Sequence, residues 1–293
     1  MKKFSDKQKG IILMCSSAFL FSAMQIAIRL TGDTIPLMEQ VFFRNIVSLI
    51  ISFCIIKKTH GSMFGGRKQQ PVLFVRSIMG ILGLVSMFYA ASHGYQADIT
   101  IMSKLSPFLI TLWAFLFLKE KIARVQIPAL VIALVGAAFV ANPVFNSNLF
   151  PLFIAFLCSV FSSVSYTILA YLKNRVNGIT VVMHFSTFCV CASIPFICFN
   201  FIVPDAGDLF LLTLLGIFGG FGQFALTYAY RMAPASEVSI YNYSGILFSA
   251  ALGYFILAEK VSTTSIIGGL LVVLASWLVY RFTDTRAAEI SNT

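Results

Sequence analysis

Residues 98–121 read Asp98-Ile-Thr-Ile-Met-Ser-Lys104-Leu-Ser-Pro107-Phe-Leu-Ile-Thr-Leu-Trp113-Ala-Phe-Leu-Phe-Leu-Lys-Glu120-Lys121. A carboxylate opens the stretch, one lysine and one proline interrupt an apolar run, and a Glu-Lys pair closes it. A run of about twenty such residues matches the thickness of a bilayer core in helical form. The layout recurs at 237–260. A shift of 139 residues places Asp98 on Glu237, Ile101 on Ile240, Leu118 on Leu257 and Glu120-Lys121 on Glu259-Lys260. Extended backwards, the same shift places Tyr89-Ala90 on Tyr228-Ala229. Two matching apolar runs in matching halves are the mark of a duplicated membrane protein.

Composition agrees. The chain is 58% hydrophobic, 11% charged and has a mean hydropathy of +0.89. A soluble domain carries about a quarter charged residues, so most of this surface must face lipid. The net charge of +10 does not point to nucleic acid, because the basic residues sit in short loops rather than on one stripe. The six cysteines (15, 54, 158, 189, 191 and 198) all lie in apolar runs. They read as small packing residues, with no metal site and no cofactor. The basic N-terminus followed by an apolar run resembles a signal peptide. The run to Ile28 is too long for one and no clear small-residue cleavage site follows, so an uncleaved first helix is expected.

Working outward from 98–121, ten spans are expected: 10–30, 36–56, 72–91, 98–118, 125–141, 150–172, 179–203, 208–230, 236–258 and 262–282. They form an all-α integral membrane protein of two five-helix repeats, over 10–142 and 150–282. Turn and charge signals separate the spans, among them Asn142-Pro143, Pro204-Asp205 and Ala233-Pro234. With the N-terminus inside, 16 Lys and Arg residues fall in inside segments and only Lys260 in an outside loop. That bias places both termini in the cytoplasm. Five is odd, so the halves insert with opposite topology. The earlier spans support the duplication at a shift of 140, where Phe21-Ser22 meets Phe161-Ser162 and Arg44 meets His184. At 139, Gly80 and Gly83 meet Gly219 and Gly222. Inverted repeats of this kind build alternating-access transporters with a site near the midplane.

The chain resembles the EamA-type branch of the drug/metabolite transporter superfamily. The resemblance rests on the 5+5 inverted arrangement, Phe42-Phe43-Arg44-Asn45 in the second span, Leu105-Ser106-Pro107-Phe108 in the fourth, and the Leu-x-Glu-Lys endings at 118–121 and 257–260. It covers roughly residues 10–282 and implies transport of small organic metabolites through a central cavity, often as export. One departure is visible: many members carry a proline in the ninth span where this chain has Gly245-Ile246.

Ionisable groups inside spans are costly and mark function. Lys104 is six residues into its span, about 9 Å from the outer end, and Arg44 is eight residues into the second span, about 12 Å deep. Two cations at similar depth on one cavity would favour a carboxylate or phosphate. The bland readings are snorkelling for Lys104, and a clamp on helix-end carbonyls or on Glu39 for Arg44. Thr100, Phe108 and Thr111 share the Lys104 face at helical spacing. In the second half Tyr243 replaces Lys104, and the polar run Tyr241-Asn242-Tyr243-Ser244 reads as cavity lining. Gln25, Ser22, Gln223, Tyr166, Tyr228 and Tyr89 are polar groups within spans, equally suited to bridging helices and to touching substrate. The glycines 80, 83, 216, 219, 220, 222, 268 and 269 read as close-packing positions. Asp98 and Glu237 are symmetry mates that read as helix caps or as coupling acids. His184 titrates near neutral pH in its unperturbed state. Proton coupling and passive uniport both fit.

The expectation is a secondary transporter in the plasma (inner) membrane, not an enzyme. No Gly-x-x-x-x-Gly-Lys-[Ser/Thr] motif is present to couple it to ATP. Its partners are a small-molecule substrate and the bilayer, with no nucleic acid, and it acts as a monomer or homodimer. The favoured substrate is an organic anion or amino acid, exported by rocking of the two halves. The alternative is an exporter of lipophilic cations or drugs. Remoter readings are a receptor and an intramembrane enzyme, the latter disfavoured by the scattered histidines 60, 93 and 184.

Overall fold

The computed structural model describes residues 4–31, 34–93, 102–141, 149–258 and 263–291. Among these the protein is all-helical, with no strand. Its helices are α1 (Asp6–Thr31), α2 (Leu37–Thr59), α3 (Gln70–His93), α4 (Ser106–Leu118), α5 (Gln126–Ala141), α6 (Leu149–Tyr171), α7 (Gly178–Asn200), α8 (Ala206–Met232), α9 (Ala235–Val238), α10 (Ser244–Leu257) and α11 (Thr263–Ser291). Among the described residues eight segments are long and apolar enough to cross a membrane, the α9–α10 segment counting as one, and α4 and α5 are shorter apolar helices. The protein is thus a ten-helix integral membrane protein built as two repeats.

The fourth and ninth spans are both broken. Residues 104–105 form a turn and α4 begins only at Ser106, with Pro107 in its first turn, where a missing N–H costs nothing. In the ninth span a 3-10 segment, Ser239–Tyr243, separates α9 from α10. The break therefore forms without the proline, and the polar tetrad supplies its local bonds: Ser244 Oγ donates to the Tyr241 carbonyl at 2.6 Å. The far ends match as well. Lys119 and Ala258, which are 139 residues apart, both adopt left-handed backbone (φ 57° and 54°) and cap their helices. Neither is glycine, so tertiary context holds a conformation that costs a side-chain-bearing residue energy.

The chain forms two compact units, each drawn from both sequence halves: 1–81 with 168–232, and 82–167 with 233–293. In the first unit α1 packs mainly on α8, and α2 packs on α7 and α8. Glycines on α8 let the backbones approach. A Cβ on Gly216 would fall 2.5 Å from Val47 Cγ2 and 2.9 Å from the Phe43 carbonyl, and one on Gly219 would fall 2.8 Å from Arg44 Cγ. Ser17 Oγ bridges to the Gly222 carbonyl at 2.8 Å, and Met24, Ala27 and Leu215 form a buried cluster. Small residues with side-chain bridges are the usual means of helix association in lipid, where apolar burial alone drives little.

In the second unit α5 packs on α11 at a glycine crossing. A Cβ on Gly136 would lie 2.7 Å from the Gly268 carbonyl, and one on Gly268 would meet the Gly136 carbonyl in return. Gly83 sits against Ser162, and Ala90 packs on Ala155. The expected packing role of glycine is therefore seen at Gly83, Gly216, Gly219, Gly220, Gly222, Gly268 and Gly269.

Candidate functional site

The fourth and ninth spans meet at their breaks, within the second unit. Unwinding Ser239–Tyr243 loosens backbone carbonyls from regular helical pairing, and a free carbonyl away from water is costly. Lys104 Nζ donates to the Asn242 carbonyl at 3.3 Å. In return Tyr243 Oη donates to the Lys104 carbonyl at 2.7 Å. Lys104 and Tyr243 are 139 residues apart, so each half of the duplication closes the other's break. The ammonium is half-buried and engaged with that carbonyl. Tyr243 is fully buried and Tyr241 nearly so, the latter donating to the Ser276 carbonyl at 3.2 Å. The hydroxyls of Ser106 and Ser239, both buried beside the breaks, have no hydrogen-bond partner among the described residues.

Glu120, the carboxylate that ends the fourth span, fixes the start of the ninth. Its two oxygens accept from Ala235 N and Ser236 N, each at 3.0 Å, and from Ser236 Oγ at 2.7 Å. The first turn of a helix has orphan N–H groups and a positive end, and a carboxylate answers both. Glu237, read from sequence as a helix cap or a coupling acid, lies in the first turn of α9, and Glu120 accepts from the Ala235 and Ser236 N–H groups there. Asp98, Thr100, Glu259 and Lys260 lie outside the described residues.

Other predicted residues of the second unit are spread out. Phe108 is half-buried on α4, and Thr111 Oγ1 bonds back to the Pro107 carbonyl at 2.9 Å. Tyr166 is half-buried on α6. Tyr89 stacks on His93 with ring centroids 4.2 Å apart and meets Phe150 edge-on, so it belongs to an aromatic cluster at the end of α3.

The first unit holds the other group. Arg44 is buried, lies along Gly219 and faces the Phe21 ring at 5.8 Å. Glu39 does not clamp it: one carboxylate oxygen of Glu39 accepts from Ile202 N at 3.2 Å, and the other is buried with no hydrogen-bond partner among the described residues. His184, the repeat mate of Arg44, is bonded through Nδ1 to Ser77 Oγ at 2.9 Å. Ser22 Oγ donates to the Ala18 carbonyl in its own helix, and Gln223 Nε2 to Thr227 Oγ1 at 3.4 Å. Gln25 is exposed in α1, and Tyr228 packs its ring on Gly178. Thus Lys104 and Arg44 belong to different compact units.

Three groups carry more than the sequence reading gave them. Arg76 is only 1% exposed, its guanidinium 4.0 Å from the Phe185 ring centroid. Its place inside the 72–91 run was a usable signal, because an arginine in an apolar run must find a stacking or polar partner. Glu39, 1% exposed, had the same signal. The capping by Glu120 had none, since its partner lies 115 residues away.

The chain matches the EamA-like transporter family twice, over residues 8–142 and 149–281. It belongs to that family, and so to the membrane transporters of the drug/metabolite superfamily. It is 30% identical over 271 residues to the Pseudopaline exporter CntI of Pseudomonas aeruginosa, across 92% of this chain and 94% of that protein. It is 22% identical over 265 residues to the S-adenosylmethionine uptake transporter of Rickettsia felis, across 88% of this chain and 87% of that protein. A solved crystal structure shares the fold, with a TM-score of 0.82 at 17% identity over 95% of this chain and 98% of its own.

Proposed function

We propose that this transporter exports a small organic metabolite bearing an anionic group, an amino acid or organic acid, by alternating access. The carrying observation is the Lys104 ammonium at the paired breaks, which among the described residues donates to a neutral carbonyl at 3.3 Å. A carboxylate offers that ammonium a stronger, charge-assisted hydrogen bond than a carbonyl does. Substrate binding would thereby exchange an internal bond for a ligand bond and loosen one break from the other. The half-buried Asn242 and the unpartnered Ser106 and Ser239 hydroxyls supply further polar contacts, and Tyr241 and Tyr243 flank them. Arg44, Ser22, Gln25, His184, Gln223 and Tyr228 are the candidate substrate contacts of the first unit, and Tyr89, Tyr166 and Phe108 those of the second, with Thr100 a candidate from its sequence position alone.

The two relatives bear opposite directions in their names, export and uptake. Export here rests on the more similar of the two. The positive-inside bias of the loops supports a reading with both termini in the cytoplasm of an inner or plasma membrane, the five-helix repeats 10–142 and 150–282 inserting upside down to one another. A second reading, transport of a lipophilic cation, draws on Glu39, whose buried oxygen without a partner would pair with a positive group.

Ligand-induced thermal stabilisation of the purified protein discriminates the two, since a ligand of the folded state raises its stability by mass action. Acidic and zwitterionic metabolites should stabilise the wild type and fail with Lys104→Ala. Stabilisation by lipophilic cations alone, abolished in Glu39→Gln, would replace the anion reading.

A further inference from the structure

A second site of defined chemistry lies in the first compact unit. A shallow cavity of about 400 Å³ is lined by Lys173, Asn174, Arg175, Val176, Asn177 and Arg231. Three of its six lining residues are cations and none is acidic. It sits where α6 and α8 end and α7 begins, so it lies at the level where apolar spans give way to headgroups.

The cations are placed by the fold. Arg231 is anchored by donating from one guanidinium nitrogen to the Leu172 carbonyl at 3.2 Å. The Arg175 guanidinium lies over the Tyr171 ring, 4.0 Å from its centroid. The tight turn that brings them together is held by Arg175 N and Val176 N, both donating to the same Leu172 carbonyl. Gly178 permits the crossing, because a Cβ there would fall 3.0 Å from Tyr228 Cζ and 3.2 Å from Arg231 Cδ. Neither Lys173 Nζ nor the Arg175 guanidinium has a hydrogen-bond or ion-pair partner among the described residues. The carboxylate whose charge reaches Lys173 is Asp6, already paired with Lys9 Nζ at 2.8 Å. Positive charge gathered in one concavity with unused donors is therefore left over.

We infer that this cavity binds the phosphate of an anionic membrane lipid. A phosphate accepts several charge-assisted hydrogen bonds at once, which suits two guanidinium groups and an ammonium. A lipid is favoured over a free anion because of depth. Tyr171, 39% exposed at the end of α6, is an aromatic of the kind found at membrane interfaces, and the apolar faces of the spans run away from the cavity. Basic pockets between helix ends are recognised sites for such headgroups. The inference does not depend on the transported substrate.

Native mass spectrometry of the delipidated full-length protein tests it, using phosphatidylglycerol and phosphatidylcholine with identical acyl chains. The wild type should retain phosphatidylglycerol preferentially. Lys173→Gln combined with Arg175→Gln should weaken retention by about 30-fold, as expected for the loss of two membrane-surface cations. Lys57→Gln combined with Lys58→Gln, which removes two cations elsewhere, should leave retention unchanged. Equal retention of both lipids, or equal loss in both double variants, would overturn the site. Displacement of the lipid by millimolar inorganic phosphate would reassign the cavity to a free anion and overturn the lipid source. A cooperative thermal melt of the Lys173/Arg175 variant, measured in parallel without any added ligand, shows whether the protein is still folded.

Discussion

Lys104 and Tyr243 hold the same place in the two halves of the duplication and bring different chemistry to it. Each closes a break in its partner span, Lys104 through its side chain to the Asn242 carbonyl and Tyr243 through its side chain to the Lys104 carbonyl. The geometry is symmetric and the chemistry is not: one half presents a charge, the other a neutral phenol. Arg44 and His184 repeat the lesson in the other compact unit, a guanidinium against Phe21 in one half and an imidazole bonded to Ser77 in the other. Duplication supplies a scaffold with matching weak points, and substitution at those points concentrates cations in the first half. The backbone keeps the symmetry where chemistry is not at stake, as at the left-handed caps Lys119 and Ala258.

The comparison can be broken most severely at the scaffold. Gly268→Val places branched carbon against the Gly136 carbonyl and 2.8 Å from Phe139 Cβ and Val140 N. Overpacking at backbone is expected to cost about 3 kcal/mol or more, read as a collapse of folded yield in detergent. The next effect separates charge from phenol. Lys104→Ala should weaken binding of an acidic ligand by about 30-fold, since a charge-assisted hydrogen bond contributes about 2 kcal/mol, while neutral ligands change little.

Smaller effects sharpen the structural half. Glu120→Gln keeps the side-chain shape but removes the charge at the start of α9, and should lower stability by about 1 kcal/mol in a thermal melt. Glu120→Ala should cost more, because two N–H groups and a hydroxyl then lose their acceptor. Tyr243→Phe removes one hydrogen bond of 2.7 Å. It should cost about 1 kcal/mol of stability and, unlike Lys104→Ala, should not discriminate acidic from neutral ligands.

Much of the architecture was legible because lipid makes it so. Apolar run length follows from local composition and the duplication from the 139-residue shift, and the helices fall close to the expected spans, Gln126–Ala141 against 125–141 for example. The breaks were harder. The 98–118 run reads as one helix, yet α4 starts at Ser106. The ninth span lacks the expected proline and still unwinds at Ser239–Tyr243, because Lys104, 138 residues away, satisfies the carbonyl released. No local signal encodes such a partner. The same holds for Glu120, whose Leu-x-Glu-Lys ending was visible while its capping of Ala235 and Ser236 was not. Polarity within a span identified Arg44, Lys104 and the tyrosines as unusual. It did not tell a ligand contact from a helix bridge, as Ser22, bonded to its own helix, and Tyr228, packed on Gly178, make plain.

The most direct test of the central claim is flux in proteoliposomes, comparing wild type, Lys104→Gln and Tyr243→Phe with an acidic metabolite found to stabilise the protein and with its neutral amide. The account expects wild type to move the acid faster than the amide, Tyr243→Phe to keep that preference, and Lys104→Gln to lose it while still moving the amide. If Lys104→Gln retained the full preference for the acid, Lys104 would be a structural clamp on the ninth span alone, and the charge asymmetry between the halves would not select the substrate.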